Sequence, residues 1–134
     1  MSSVKLSIIV PCYKAKDYLT RCLDSLIRQT LTDIEIICVN DGSPDNCIEI
    51  LEDYYKKYGD KIVIIDKQNE GVWRARMDGI KLARGEYIGF VDADDYVTLD
   101  FAEKLYTLVT LENADIAVCG FDRIDSETGK RYSR

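Results

Sequence analysis

The residues best suited to chemistry are three closely spaced carboxylates at the end of an apolar run. Glu86 to Tyr96 reads EYIGFVDADDY, which places Asp92, Asp94 and Asp95 directly after Tyr87, Ile88, Phe90 and Val91. Carboxylate oxygens are hard ligands for Mg²⁺ or Mn²⁺, ions that keep several waters and take further ligands from substrate phosphates. Taken alone, an Asp-x-Asp pair is equally an acidic turn leading into a helix. Its place in the fold decides between the two. A run this short, rich in aromatic and β-branched residues, predicts a strand covered on both faces, with the carboxylates at its C-terminal end. In an open α/β sheet, ligands bind in the crevice beyond that end.

The elements that would position these groups follow from periodicity. Leu6 to Val10 predicts a first strand, stopped by Pro11, which cannot donate to a ladder. Asp17 is expected to cap a helix whose apolar stripe is Leu19, Cys22, Leu23, Leu26 and Ile27. Ile34 to Val39 predicts a second strand, and Asn40, Asp41, Gly42 and Ser43 a turn after it. The second helix carries Cys47, Ile50, Leu51, Tyr54 and Tyr58 on one face and closes at Gly59. Lys61 to Asp66 predicts a third strand. Asn69, Glu70 and Gly71 then turn the chain into a helix from Val72 to Arg84, with Gly85 as its stop and Arg84 at its negative end. Leu99 to Asn113 predicts a fourth helix, with Phe101, Leu105, Leu108 and Val109 inward, and Ile116 to Cys119 a short fifth strand. Asp122 to Arg134 has no core pattern and reads as an exposed tail or one cut off.

Strands alternating with helices imply an α/β fold, a mostly parallel sheet with helices on both faces. The loops after its first four strands would then gather Tyr13, Asp41, Glu70 and Asp92 to Asp95 at one sheet edge. Such convergence points to a ligand site more strongly than any single loop.

Composition narrows the classes. At 134 residues one domain is expected, and a net charge of −6 argues against general nucleic-acid binding, which needs a basic face. No apolar run approaches the ~18 residues of a membrane span, and Met1 to Lys5 lacks the features of a secretory signal, so a cytoplasmic location is expected. The five cysteines are odd in number with no Cys-x-x-Cys spacing, and read as reduced core residues, Cys12 and Cys38 beside the site included. With no histidine, the commonest general base and transition-metal ligand is missing from any mechanism. The two usual glycine-rich phosphate cradles are also missing, which argues against a dinucleotide-binding or P-loop enzyme.

The residue types suggest a nucleotide held in another way. Tyr13 could stack on a base, Asp41 could accept from a ring N–H or ribose hydroxyl, and a metal at the Asp pair could hold a diphosphate. Lys14, Arg74 and Arg76 would supply local positive charge.

Four segments taken together, SIIVPCYK from Ser7, VNDGSPD from Val39, NEGVWRARMDG from Asn69 and ARGEYIGFVDADD from Ala83, resemble the N-terminal half of the family-two glycosyltransferases. These are inverting enzymes of GT-A (Rossmann-like) fold that use nucleotide-diphosphate sugars. The resemblance runs from about Leu6 to Phe121. It implies a nucleotide-sugar-binding region over residues 1–121, with 122–134 a charged tail or the start of an acceptor half. By matching position, Pro11 and Tyr13 would border the base and Asp41 would hydrogen-bond it, uracil being commonest. Arg76 would lie near the diphosphate, Asp92 near the ribose or sugar, and Asp94 would coordinate Mn²⁺ or Mg²⁺, with Asp95 beside it. Asn40 stands where Asp is frequent, and Met77 where Asn commonly follows the Arg.

The resemblance further implies metal-dependent transfer of a sugar, UDP-linked in most members, to an acceptor hydroxyl of a glycan or glycolipid, in polysaccharide biosynthesis. A longer chain would work at the inner membrane face. Family catalytic domains continue for roughly another hundred residues, which carry the acceptor contacts and the general base. The catalytic base is therefore expected outside this sequence. The alternative is a non-catalytic remnant that binds nucleoside diphosphate but lacks acceptor half and base; a third reading is a fragment whose exposed sheet surface awaits the missing segment.

Overall fold

Four parallel strands, β1 (Leu6–Cys12), β2 (Ile34–Asp41), β3 (Ile62–Lys67) and β4 (Tyr87–Phe90), form a sheet in the order β3-β2-β1-β4 in the computed structural model. The structure describes the backbone of residues 3–117, 122–124 and 131–133, and side chains within 3–117. The helices are α1 (Lys16–Ile27), α2 (Cys47–Tyr58), α3 (Val72–Leu82) and α4 (Phe101–Leu111).

Every residue of β1 and β2 is buried, because helices cover both faces of these central strands. Ile8, Val10, Ile36 and Cys38 belong to one core with Leu19, Leu23 and Leu26 of α1, Leu51 of α2 and Ala102 of α4. Ile9, Ile37 and Val39 point the other way, toward Ala75 of α3. Alternation along each strand thus feeds two separate cores. α3 lies close to the sheet: a Cβ on Gly79 would come within 2.7 Å of the Ile9 side chain.

Several boundaries differ from those the residue patterns predict. β1 runs through Pro11 to Cys12, and Pro11 pairs in register with Val39. The Ile9 carbonyl accepts from Val91 N–H, so alternate residues, Pro11 among them, face the β4 side, where the β1–β4 pairing has already ended at Phe90. The missing proline N–H costs no ladder bond there. β2 also continues past Val39, since Asn40 and Asp41 pair with Asp66 and Lys67 of β3; the turn begins at Gly42. β3 is shifted by one residue from the expected span, after a single 3₁₀ turn at Gly59–Lys61.

Asp17 does not cap α1. It lies in the first turn, Ala15 precedes the helix without a side-chain cap, and the Lys16 N–H is met from another loop by Asp45. α3 stops at Leu82, before Arg84, whose side chain is drawn to Glu35 instead of to the helix end. In α4 the inward positions are Ala102 and Val109 with half-buried Leu105 and Tyr106, so Leu108 falls outside the stripe and is exposed.

β4 is not covered on both faces. It is an edge strand among the described residues, and Ile88 and Phe90 are 41% and 46% exposed on the face where α3 spans β1 and β2. For the fifth strand, Ile116 and Ala117 are not in a strand, while Val118 and Cys119 lie outside the described residues. The tail does contain structure: β5 (Asp122–Ile124) and β6 (Arg131–Ser133) pair antiparallel as a separate two-stranded sheet. The four described cysteines, Cys12, Cys22, Cys38 and Cys47, are free and buried, as core filling requires. Among the described residues, no helix is long and apolar enough to cross a membrane.

One buried charge ties the lower end of the sheet together. Glu35 of β2, 1% exposed, accepts from the Ser7 hydroxyl at 2.6 Å, from Arg84 N–H at 2.7 Å and from Arg84 Nε at 3.0 Å. Ser7 Oγ in turn accepts from Gly85 N–H, so the strap leading into β4 is held against β1 and β2. Burial raises the Glu35 carboxyl, but the bonds from Ser7 and Arg84 outweigh it and hold the pKa below the ordinary 4.5. A depressed carboxyl stabilises the fold above its unfolded pKa and loses that contribution as pH falls through the folded value. Glu35→Gln is therefore expected to cost about 2 kcal/mol near neutral pH. The gap to wild type should shrink as pH drops below 4.5. Urea unfolding at several pH values measures this; a cost independent of pH would contradict it.

Candidate functional site

The C-terminal ends of the strands carry the polar loops, and two side chains at the end of β2 organise them. Asp41 is only 2% exposed, and its carboxylate accepts from Glu70 N–H at 2.9 Å, Gly71 N–H at 3.0 Å and Asn69 Nδ2 at 3.3 Å. Glu70 and Gly71 immediately precede α3, so the carboxylate anchors the backbone that leads into this helix. Asn69 Nδ2 also donates to the Asp41 carbonyl at 3.0 Å. The approach is tight enough that a Cβ on Gly42, at φ +65, would lie 2.5 Å from Asn69 N. A carboxylate offers about four lone-pair positions. The three side-chain contacts leave one, on Oδ1.

Beside it, Asn40 Nδ2 donates to Asp66 Oδ1 at 3.0 Å. This explains an amide where a carboxylate was expected: two facing carboxylates would repel. Lys67 anchors the following loop from β3, pairing with Asp78 of α3 and, at 2.9 Å, with Glu70.

Beyond β4, Asp92, Asp94 and Asp95 each place a carboxylate oxygen within 4.8 Å of the others. The turn is closed by Asp95 N–H donating to the Asp92 carbonyl at 3.0 Å. Arg76 of α3 reaches Asp92 Oδ1 at 3.1 Å, and its guanidinium lies 6.0 Å from the Phe90 ring centre. From the opposite face, Arg21 of α1 stacks on Tyr96 at 4.3 Å and makes a long 3.5 Å hydrogen bond to the Asp94 carbonyl. Burial, then Asp94 and Asp92, raise the Asp95 carboxyl above its usual 3.8. Three crowded, exposed carboxylates form a hard-oxygen donor set, and a divalent cation would relieve their repulsion. The residues fit Mg²⁺ or Mn²⁺.

Tyr13, the first residue after β1, is 45% exposed, with Lys14 Nζ 5.4 Å from its ring centre; Pro11 is buried in β1. Of the expected cations, Arg76 is engaged by Asp92, and Arg74 lies 3.7 Å from Glu70. The geometry thus joins the loops after β2 and β3 through Asp41, and α3 to the acidic turn through Arg76. Sequence reasoning missed Arg21, which sits on the polar side of an amphipathic helix without any motif. It took Asn69 for a simple turn residue.

Residues 7–134 match the family model described as glycosyl transferase family 2. A glycosyltransferase of Bacillus subtilis (strain 168), EpsJ, is 49% identical over 122 residues, which cover 91% of this chain and 35% of EpsJ. S. aureus TarS 1-349 in complex with UDP superposes with a TM-score of 0.75 at 29% identity, over 82% of this chain and 33% of that one. TarS 1-349 in complex with UDP-GlcNAc gives a TM-score of 0.70 at 31% identity, over 82% of this chain and 32% of that one. The chain therefore spans about a third of these relatives. The shared architecture is the GT-A, Rossmann-like α/β fold.

Asp41→Asn would turn an amide NH₂ toward the N–H groups before α3. The expected result is a loss of about 2 kcal/mol in urea unfolding. Amide exchange at Glu70 and Gly71 should accelerate with it; unchanged exchange there would contradict the anchoring role of Asp41.

Proposed function

The chain belongs to glycosyl transferase family 2, and on that premise we propose that it forms the donor-binding part of a metal-dependent glycosyltransferase that takes its sugar from a nucleotide diphosphate, UDP in the first instance. The observation that carries this reading is the cluster of Asp92, Asp94 and Asp95 carboxylates beyond β4, with Arg76 alongside. The complexes of TarS with UDP and with UDP-GlcNAc support the choice of uridine.

In this reading Tyr13 and Pro11 border the base, and the free lone pair of Asp41 Oδ1 accepts from its ring N–H. Arg76 sits near the diphosphate and Asp92 near the ribose or sugar. Asp94 holds Mn²⁺ or Mg²⁺, with Asp92 and Asp95 in reach; such an ion supplies Lewis-acid charge to a leaving diphosphate. An acceptor hydroxyl displaces the nucleoside diphosphate at the anomeric carbon with inversion. We assign no general base among the described residues and place it, with the acceptor contacts, in sequence beyond residues 1–121. Residues 122–134 would begin that acceptor half. A glycan or glycolipid acceptor, and polysaccharide assembly in the cytoplasm, complete the reading; the free state of the four described cysteines suits a reducing compartment.

Calorimetric titration of UDP tests it directly. Binding with Mn²⁺ present is expected to weaken at least tenfold, about 1.4 kcal/mol, in EDTA. Asp94→Asn should weaken binding similarly in Mn²⁺ and leave the residual affinity in EDTA unchanged. UDP affinity indifferent to both metal and substitution would overturn the metal assignment.

A further inference from the structure

Between the loops after β1 and β2 lies a set of contacts that nucleotide binding does not itself require. Lys14 N–H donates to Ser43 Oγ at 2.8 Å, and the Ser43 hydroxyl donates onward to Asp45 Oδ1. The other Asp45 oxygen, Oδ2, accepts from Lys16 N–H at 3.2 Å, while Oδ1 also accepts from Cys47 N–H at 3.3 Å. One carboxylate thus meets the first residues of both α1 and α2.

Part of this is ordinary. An Asp bonding the N–H two residues on is a common turn device at a helix start. The contacts to Lys14 and Lys16 are different, because they reach across 29 residues of sequence and α2 does not need them. They bracket a strained residue: Lys14 has φ 52, a left-handed conformation disfavoured for side chains other than glycine. Such a conformation persists where its surroundings hold it. Here its own N–H and that of Lys16 are both fixed by the Ser43–Asp45 pair. Donation to a carboxylate polarises the Ser43 hydroxyl and makes its oxygen a better acceptor for Lys14 N–H. The residue directly before this bend is Tyr13, the exposed ring assigned to the base.

We propose that Ser43 and Asp45 are positioning residues, which lock Lys14 in its left-handed bend and so present the Tyr13 ring as a preformed platform for the nucleobase. This rests on the nucleotide reading above and adds to it the groups that set the platform before ligand arrives. A ring already in place spares the cost of ordering it on binding. The clamp is charged throughout the physiological range. Burial raises the Asp45 carboxyl, but the bonds from Cys47, Ser43 and Lys16 outweigh it and hold the pKa at about 2.

The test is a double-mutant cycle in the full chain, with UDP affinity in Mn²⁺ as one readout and amide exchange of ligand-free protein as the other. Ser43→Ala should weaken UDP binding about fivefold. It should also speed exchange of the Lys14 amide, while Ser43→Thr, which keeps the hydroxyl, restores both. Asp45→Asn should act in the same direction. In a Tyr13→Ala background, Ser43→Ala should change UDP affinity by less than about twofold, since the clamp acts through that ring. Wild type that binds UDP while Ser43→Ala binds equally well overturns the proposal alone, as does an undiminished Ser43→Ala effect without the Tyr13 ring. Wild type that binds no UDP overturns the nucleotide reading and the platform with it.

Discussion

The arrangement of the site depends on the carboxylate of Asp41. A buried anion at the end of a central strand is costly unless its oxygens are met, and among the described residues the donors that meet it come from Asn69, Glu70 and Gly71, the segment leading into α3. Satisfying Asp41 therefore fixes where α3 begins, relative to β2. Gly42 allows the close approach, and Lys67 braces the loop through Glu70 and Asp78. One turn into α3 comes Arg76, whose guanidinium bonds Asp92. The position of the acidic turn beyond the edge strand β4 is thus coupled, through one helix, to a charge on β2.

Charge explains why a diphosphate at this edge would call for a cation. The chain carries a net −6, and several cations near the edge already have partners: Arg76 pairs with Asp92, Lys67 with Glu70 and Asp78, and Arg21 meets the Tyr96 ring and a backbone carbonyl. A diphosphate approaching three carboxylates meets repulsion of order 1–4 kcal/mol per charge pair at ~4 Å, depending on solvent exposure. A hard divalent ion held by the carboxylates would offset that repulsion. Burial first, and then the neighbouring Asp94 and Asp92 carboxylates, raise the Asp95 carboxyl.

Most of the architecture was legible because it is periodic. Continuous apolar runs gave β1 and β2, and the stripes of α1 and α2 met the core where spacing placed them. What periodicity does not carry is the identity of the neighbour across a gap. Asn40 and Asp41 look like turn residues, yet β3 runs on beside them and keeps them in the ladder. Pro11 looks like a stop, yet it faces the side where β4 has ended. The apolar character of Ile88 and Phe90 says that a strand can be covered, not that a helix of the described residues covers it. At the site, residue types and the order of the loops pointed to the C-terminal ends of the strands, where Asp41 and the acidic turn lie. Their contacts were out of reach: the hold of Asp41 on the segment before α3 and the approach of Arg21 from α1 are products of tertiary packing.

The central claim is that these loops form one site for a metal-bound nucleoside diphosphate, and paramagnetic broadening by trace Mn²⁺ addresses it at the level of residues. With UDP present, amide signals of Asp94, Asp95 and Arg76 should broaden together with the UDP phosphorus signals, while Tyr13 and Asp41 shift on UDP addition. Broadening spread over unrelated carboxylates such as Glu52 and Asp53 of α2, with the phosphorus signals untouched, would show that the acidic turn does not bring metal and diphosphate together.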